Sequence, residues 1–194
     1  MVFGWFYLCR AGEYVKRGLL DAEKVLRGID VRLSAQDGVW RADVQFRKTK
    51  ADQQAFGCVR THYEVKDKAA GGVCVVEALR MMQAWRPERF ECGREAHEPL
   101  FRKLDGKLVK REELQDVLQR AAKAVGLPEA RFKSHSLRIG GASAMLHSAG
   151  EFALVKRFGR WTSDAVHAYL HDSATQSIGL AASMPRGRSS VHYT

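Results

Sequence analysis

The chain has 194 residues, 45% of them hydrophobic, which suits one domain, at most with a small appendage, built around a real core. Lys and Arg number 32 against 22 Asp and Glu, a formal net charge of +10, so nucleic acid is the first partner to consider. The apolar opening Val2 to Leu8 is too short for a membrane span and no charged segment leads it, so neither a signal peptide nor a membrane anchor is expected. Cys9, Cys58, Cys74 and Cys92 are scattered with no CxxC pair, which reads as reduced thiols in an intracellular protein.

In chain order, the apolar start reads as the end of a helix. Alternation then predicts three antiparallel strands: Ile29, Val31 and Leu33, then Trp40, Ala42, Val44 and Phe46, then Val59, Thr61, Tyr63 and Val65, with Asp37-Gly38 as the first turn. The polar stretch Arg47 to Gln54 is expected to form an exposed hairpin loop. Val75, Val76, Leu79, Met82 and Trp85 predict a helix that Pro87 stops, and Leu114, Val117, Leu118, Ala121, Ala122 and Val125 predict a stronger one ended by Gly126 and Pro128. Two further helices fit near 136–149 and 163–171, each with a serine near its start as a candidate cap. One domain over 1–183 and a flexible basic tail over 184–194 complete the reading.

The stretch Ser134-His135-Ser136-Leu137-Arg138 is followed by Gly159-Arg160-Trp161 and by Tyr169. His135 and Arg138, three apart at a helix start, project from one face and can grip the same anion. Taken singly, each residue has an ordinary reading: Tyr169 and Trp161 as core, Arg10 as the partner of Glu13 in a surface ion pair, and Lys48 and Lys50 as a solvated loop. Taken in order, they resemble the second box of the tyrosine recombinases, the family of phage integrases and Cre. Upstream, Leu8-Cys9-Arg10-Ala11-Gly12-Glu13 resembles the first box, an arginine followed three residues later by an acid. Lys50 lies between two predicted strands, where the family keeps its catalytic lysine. The wording Arg-Lys-Thr-Lys-Ala-Asp-Gln, the Arg-Ala-Gly-Glu form of the first box, and Trp161 eight residues before Tyr169 look closest to the retrotransposon-type branch.

The resemblance implies an α+β fold, a mainly helical DNA breaking-rejoining catalytic domain with a small three-stranded antiparallel sheet bearing Lys50. It implies Arg10, Lys50, His135, Arg138, Trp161 and Tyr169 as catalytic residues, and the chemistry needs such types. Negative charge spreads over the nonbridging oxygens in phosphoryl transfer, and without a metal fixed guanidinium forks such as Arg10 and Arg138 must meet it. A tyrosine hydroxyl with a pKa of about 10 needs a base or a positive field, for which His135 is the candidate. The leaving 5′ oxygen needs a proton, from Lys50 or alternatively Lys48. Trp161 can donate one hydrogen bond. Glu13 would hold an arginine or histidine in place, and Arg47, Lys48 and Arg160 are expected DNA contacts.

The resemblance further implies double-stranded DNA as partner, self-association on it as a dimer or tetramer, and an intracellular location, nuclear in a eukaryote. It implies no cofactor. His167 and His171 stand at i, i+4 but flank Tyr169 without a third ligand, so no metal is expected. Only nine residues precede Arg10, so the family's N-terminal clamp domain and the start of the catalytic domain are expected to be missing, leaving Trp5, Phe6 and Leu8 exposed. Two function classes follow: site-specific DNA cleavage and rejoining through a 3′-phosphotyrosyl intermediate, with plasmid relaxation as a variant, or a catalytically silent DNA-binding remnant of a mobile-element recombinase.

Overall fold

Alternating residues between positions 31 and 63 build the sheet, as their spacing predicts. In the computed structural model, which describes residues 1–16, 23–48, 57–65, 72–163 and 166–167, strands β1 (Val31–Gln36), β2 (Val39–Phe46) and β3 (Cys58–Tyr63) pair antiparallel in the order β1-β2-β3. Asp37 and Gly38 both take positive φ, 51° and 70°, the backbone that matches a tight turn to the right-handed twist of a hairpin. Ala42, Val44 and Phe46 line the inner face of β2.

The third strand forms where expected but presents the opposite face. Val44 lies opposite Arg60 and Ala42 opposite His62, so Arg60 and His62 point inward, while Val59 and Tyr63 are exposed. Polar side chains are tolerated there because each finds an acceptor. His62 Nε2 lies 2.9 Å from the Phe6 carbonyl, and Arg60 Nε donates to the Phe158 carbonyl at 2.9 Å.

Helices α1 (Val2–Phe6), α2 (Ala11–Tyr14), α3 (Val75–Trp85), α4 (Arg94–His97), α5 (Arg111–Ala124), α6 (Ser136–Ala149) and α7 (Phe152–Phe158) make up the rest of the described fold. Val75, Val76 and Leu79 of α3 and Leu114 and Leu118 of α5 share one apolar cluster with the inner face of β2. Trp85, expected on the buried stripe of α3, is 78% exposed. It stands about 2.8 turns beyond Val75, which rotates it onto the flank. A smaller cluster of Leu8, Ala142, Val155 and Val166 binds α6, α7 and the chain beyond Trp161 to the N-terminal segment.

Leu8 is therefore fully buried rather than exposed, carried inward by a left-handed φ of 50°, whereas Trp5 does remain 38% exposed. Gly140 and Gly141 make this packing possible. A Cβ on Gly141 would lie 2.2 Å from the Trp5 carbonyl oxygen, so α1 and α6 approach with backbone in contact. Helix α6 has the predicted bounds, but neither serine caps it. Ser136 Oγ accepts the Lys133 N–H at 3.0 Å and Ser134 Oγ accepts Arg111 Nε at 2.9 Å. Helix α7 was not expected, since a seven-residue element offers only Phe152, Val155 and Phe158 as a periodic signal. The predicted helix near 163–171 falls mostly outside the described residues, as do most of the 47–54 loop and the 184–194 tail. Among the described residues, no helix is long and apolar enough to cross a membrane.

Candidate functional site

The site is built where three separate segments meet the end of α7. Arg10 precedes α2, and its backbone N–H donates to Glu13 Oε2 at 2.9 Å, the reach-back from the third helical position that satisfies an orphan donor. Glu13 is 4% exposed, and a carboxylate taken out of water needs cationic partners. Two guanidinium groups supply them: Arg160 Nη2 at 2.6 Å and Arg10 Nη1 at 3.5 Å.

Arg138, one turn into α6, is 2% exposed. Its Nη1 donates to the Leu8 carbonyl at 2.7 Å and its Nη2 to the Gly159 carbonyl at 2.6 Å. The guanidinium lies 4.1 Å from the centre of the Trp161 ring. Gly159 allows this stacking, because a Cβ there would fall 1.7 Å from the Trp161 ring. Burial pulls the Arg138 pKa down to about 9, with Arg10 and Arg160 acting the same way and Glu13 opposing them. Arg138 stays charged at neutral pH.

The last carbonyls of a helix lack partners within it and carry the negative end of its dipole. In α7 and the turn after it, four successive carbonyls each receive a guanidinium. Arg60 Nη2 donates to Arg157 O at 2.5 Å and Arg60 Nε to Phe158 O at 2.9 Å, Arg138 to Gly159 O at 2.6 Å, and Arg10 Nη2 to Arg160 O at 3.4 Å. Arginines from the first box, the sheet and α6 are thus gathered by one helix end. Arg10 keeps 28% of its side chain exposed, which leaves this cluster open on one side.

His135 stands at the start of α6 and is half-buried. Burial lowers its pKa first, and the cations Arg138, Arg10 and Arg111 lower it further. The imidazole is therefore neutral at neutral pH and able to accept a proton. Three guanidinium groups share one carboxylate, Arg10 and Arg160 pairing with Glu13 and Arg138 feeling its charge, so the site is short of negative charge and suited to an anion.

The structure therefore brings Arg10, Glu13, His135, Arg138 and Trp161 together. Lys50 and Tyr169 lie outside the described residues. The chain leading to Tyr169 is anchored at Val166, fully buried in the small cluster, and at His167, whose ring stacks on Phe152 at 4.1 Å. The cations expected to meet DNA are placed differently from one another. Lys48 pairs with Glu23 at 2.5 Å, and Arg47 pairs with the buried Asp30 at 3.0 Å and donates to Val25 O. Arg160 faces inward, 3% exposed at the side chain, because the buried Glu13 carboxylate draws its charge.

Arg60 belongs to the site's support and was missed. Pairing β3 against β2 by burial would have put Arg60 opposite Val44 on the inner face, where a half-buried guanidinium seeks acceptors. Among the described residues, no group of three or more His, Cys, Asp or Glu is placed to hold a metal ion.

No protein-family model matches the sequence, and no curated protein matches it. Solved structures do. The XerH site-specific recombinase bound to palindromic difH substrate, a post-cleavage complex, superposes with a TM-score of 0.61 at 17% identity over 95% of this chain and 44% of that one. The XerH pre-cleavage complex bound to difH gives 0.58 at 17% identity, over 94% and 44% respectively. The chain thus spans under half the length of these two structures. The likeness is one of fold: a mainly helical α+β domain with a small antiparallel sheet, shared with these XerH structures.

Proposed function

We propose that this chain cuts and rejoins duplex DNA by transesterification through Tyr169. The convergence of Arg10 and Arg138 on the end of α7, next to a neutral His135, carries this reading. Arg10 and Arg138 hold the nonbridging oxygens of the scissile phosphate. Tyr169 Oη attacks the phosphorus and its proton passes to His135; a bond from Oη to phosphorus forms as the bond to the 5′ oxygen breaks. Lys50, or Lys48 in its place, protonates that oxygen. The products are a 3′-phosphotyrosyl link and a free 5′ hydroxyl, and attack by another 5′ hydroxyl reverses the step without ATP. Trp161 holds the Arg138 fork flat, and no cofactor enters the scheme.

Double-stranded DNA is the partner, with two or four copies assembling on it, and the protein works inside the cell where DNA is. The XerH site-specific recombinase complexes named above are bound to difH substrate, before and after cleavage, which supports this partner. A retrotransposon-type origin rests on the wording of the two boxes and the Arg47 to Gln53 stretch.

A duplex nicked near the scissile position traps the covalent intermediate by losing the short 5′ fragment. On a pool of such duplexes the parent chain is expected to give a band shifted on a denaturing gel, and Tyr169→Phe none. An adduct that persists in Tyr169→Phe refutes the assignment. Salt-sensitive duplex binding with no adduct in either would instead mark a DNA-binding remnant.

The pH profile tests His135. Its lowered pKa means that the basic form survives below the ordinary histidine value of about 6.5. Cleavage at sub-saturating DNA, which reports the free protein, is expected to be flat across neutral pH and to fall only below that value. An acid limb centred at or above it would show that His135 is not the base.

A further inference from the structure

We infer that Arg160 is a positioning residue that sets the two phosphate-binding arginines, and that it does so with both its backbone and its side chain. The inference rests on the strand-transfer reading above. Arg160 is non-glycine yet holds a φ of 62°, in the left-handed region that disfavours side chains and persists only where the surroundings over-determine it. That turn directs two successive carbonyls to opposite partners: Gly159 O receives Arg138 Nη2 at 2.6 Å and Arg160 O receives Arg10 Nη2 at 3.4 Å.

The side chain explains why the strained turn is kept. The guanidinium packs 3.6 Å from the centre of the Phe46 ring and donates to Tyr7 O at 3.2 Å and to Glu13 Oε2 at 2.6 Å. Glu13 in turn holds Arg10 through its backbone N–H and through Nη1. Arg160 therefore reaches Arg10 by two routes, its own carbonyl and the Glu13 carboxylate, and ties both to the sheet through Phe46. At 3% exposure its side chain is turned inward, away from the surface. It acts by fixing where the Arg10 and Arg138 guanidinium groups sit.

The two routes separate by substitution. Arg160→Gly accepts the left-handed backbone but removes the cation, and Arg160→Lys keeps a cation without the fork. Cleavage is read on a trapped phosphodiester duplex and on one whose scissile linkage is a neutral methylphosphonate, which has lost one charged oxygen and so needs less from the second guanidinium. Displacing a positioned group by about 1 Å costs on the order of 10²-fold in rate. Arg160→Gly is therefore expected to cut the phosphodiester about 10²-fold more slowly, with duplex affinity within about threefold of the parent. Its defect on the methylphosphonate should be at least tenfold smaller, as for Arg10→Ala, and Arg160→Lys should restore part of the loss. Phosphodiester cleavage within threefold of the parent, or equal losses on both linkages, overturns the inference and leaves Arg160 as packing. Failure of the parent chain to form any Tyr169-dependent adduct instead defeats the strand-transfer reading itself.

Discussion

Glu13→Gln is expected to lower the stability of the folded chain by about 3 kcal/mol, the scale for removing one partner of a buried ion pair. The substitution preserves shape and keeps an oxygen acceptor, so little packing is lost. What changes is charge. Arg160, with Nη2 2.6 Å from the carboxylate and its side chain 3% exposed, would be left as a buried cation with only neutral partners: the amide oxygen, the Tyr7 carbonyl, the Cys9 thiol and the Phe46 ring. Arg10 is more exposed, so solvent can replace its share of the carboxylate, and the cost falls mainly on Arg160. Urea unfolding at neutral pH measures the loss, and the double variant Glu13→Gln with Arg160→Met provides the check. With both charges gone, the double variant should be more stable than Glu13→Gln alone, because an uncompensated charge costs more than no charge. A double variant whose loss equals the sum of the two single losses would mean that the ion pair is not the source of the effect.

The same pair marks the boundary of what the sequence makes legible. The sheet could be read from alternation because one side of each strand meets a core, and the Asp37-Gly38 turn because only residues tolerant of positive φ serve there. Helices α3 and α5 follow from apolar periodicity over eleven or more residues. The grouping of His135, Arg138 and Trp161 was legible for a different reason: their order and spacing resemble a known motif, although the helix α7 that separates α6 from Trp161 carried no clear signal of its own. The inward turn of Arg160 was not legible. A lone arginine between Gly159 and Trp161 carries the same signal whether it meets DNA or a buried carboxylate from a residue 147 positions away. The face of β3 was misread likewise, since Val59, Thr61, Tyr63 and Val65 alternate as well as Cys58, Arg60 and His62 do. Carbonyls from distant elements decide which set turns inward: Phe6 O of α1 for His62, and Arg157 O and Phe158 O of α7 for Arg60.

Arg138→Ala is expected to slow strand cleavage by about 10³-fold, the scale for losing a fixed cation from a phosphoryl transfer site. Arg138→Lys should recover little of it. A lysine retains charge, but its single ammonium cannot span the Leu8 and Gly159 carbonyls, which the Arg138 fork meets at 2.7 and 2.6 Å, and also lie flat on Trp161. Both variants leave buried carbonyls short of a donor, each worth about 1–3 kcal/mol, so cleavage must be compared at a temperature where urea unfolding shows each variant folded. Duplex affinity should fall only modestly, with the salt dependence of binding reduced by about one phosphate contact, because the remaining cations still neutralise the backbone. The decisive measurement is rescue. Truncating a side chain only 2% exposed opens a hole lined by two carbonyls and an indole face, and added guanidinium ion should restore cleavage to Arg138→Ala where ammonium ion does not. Equal rescue by both ions, or an Arg138→Lys rate matching the parent, would show that the site asks for charge alone and that the fork geometry at the end of α7 plays no part in the chemistry.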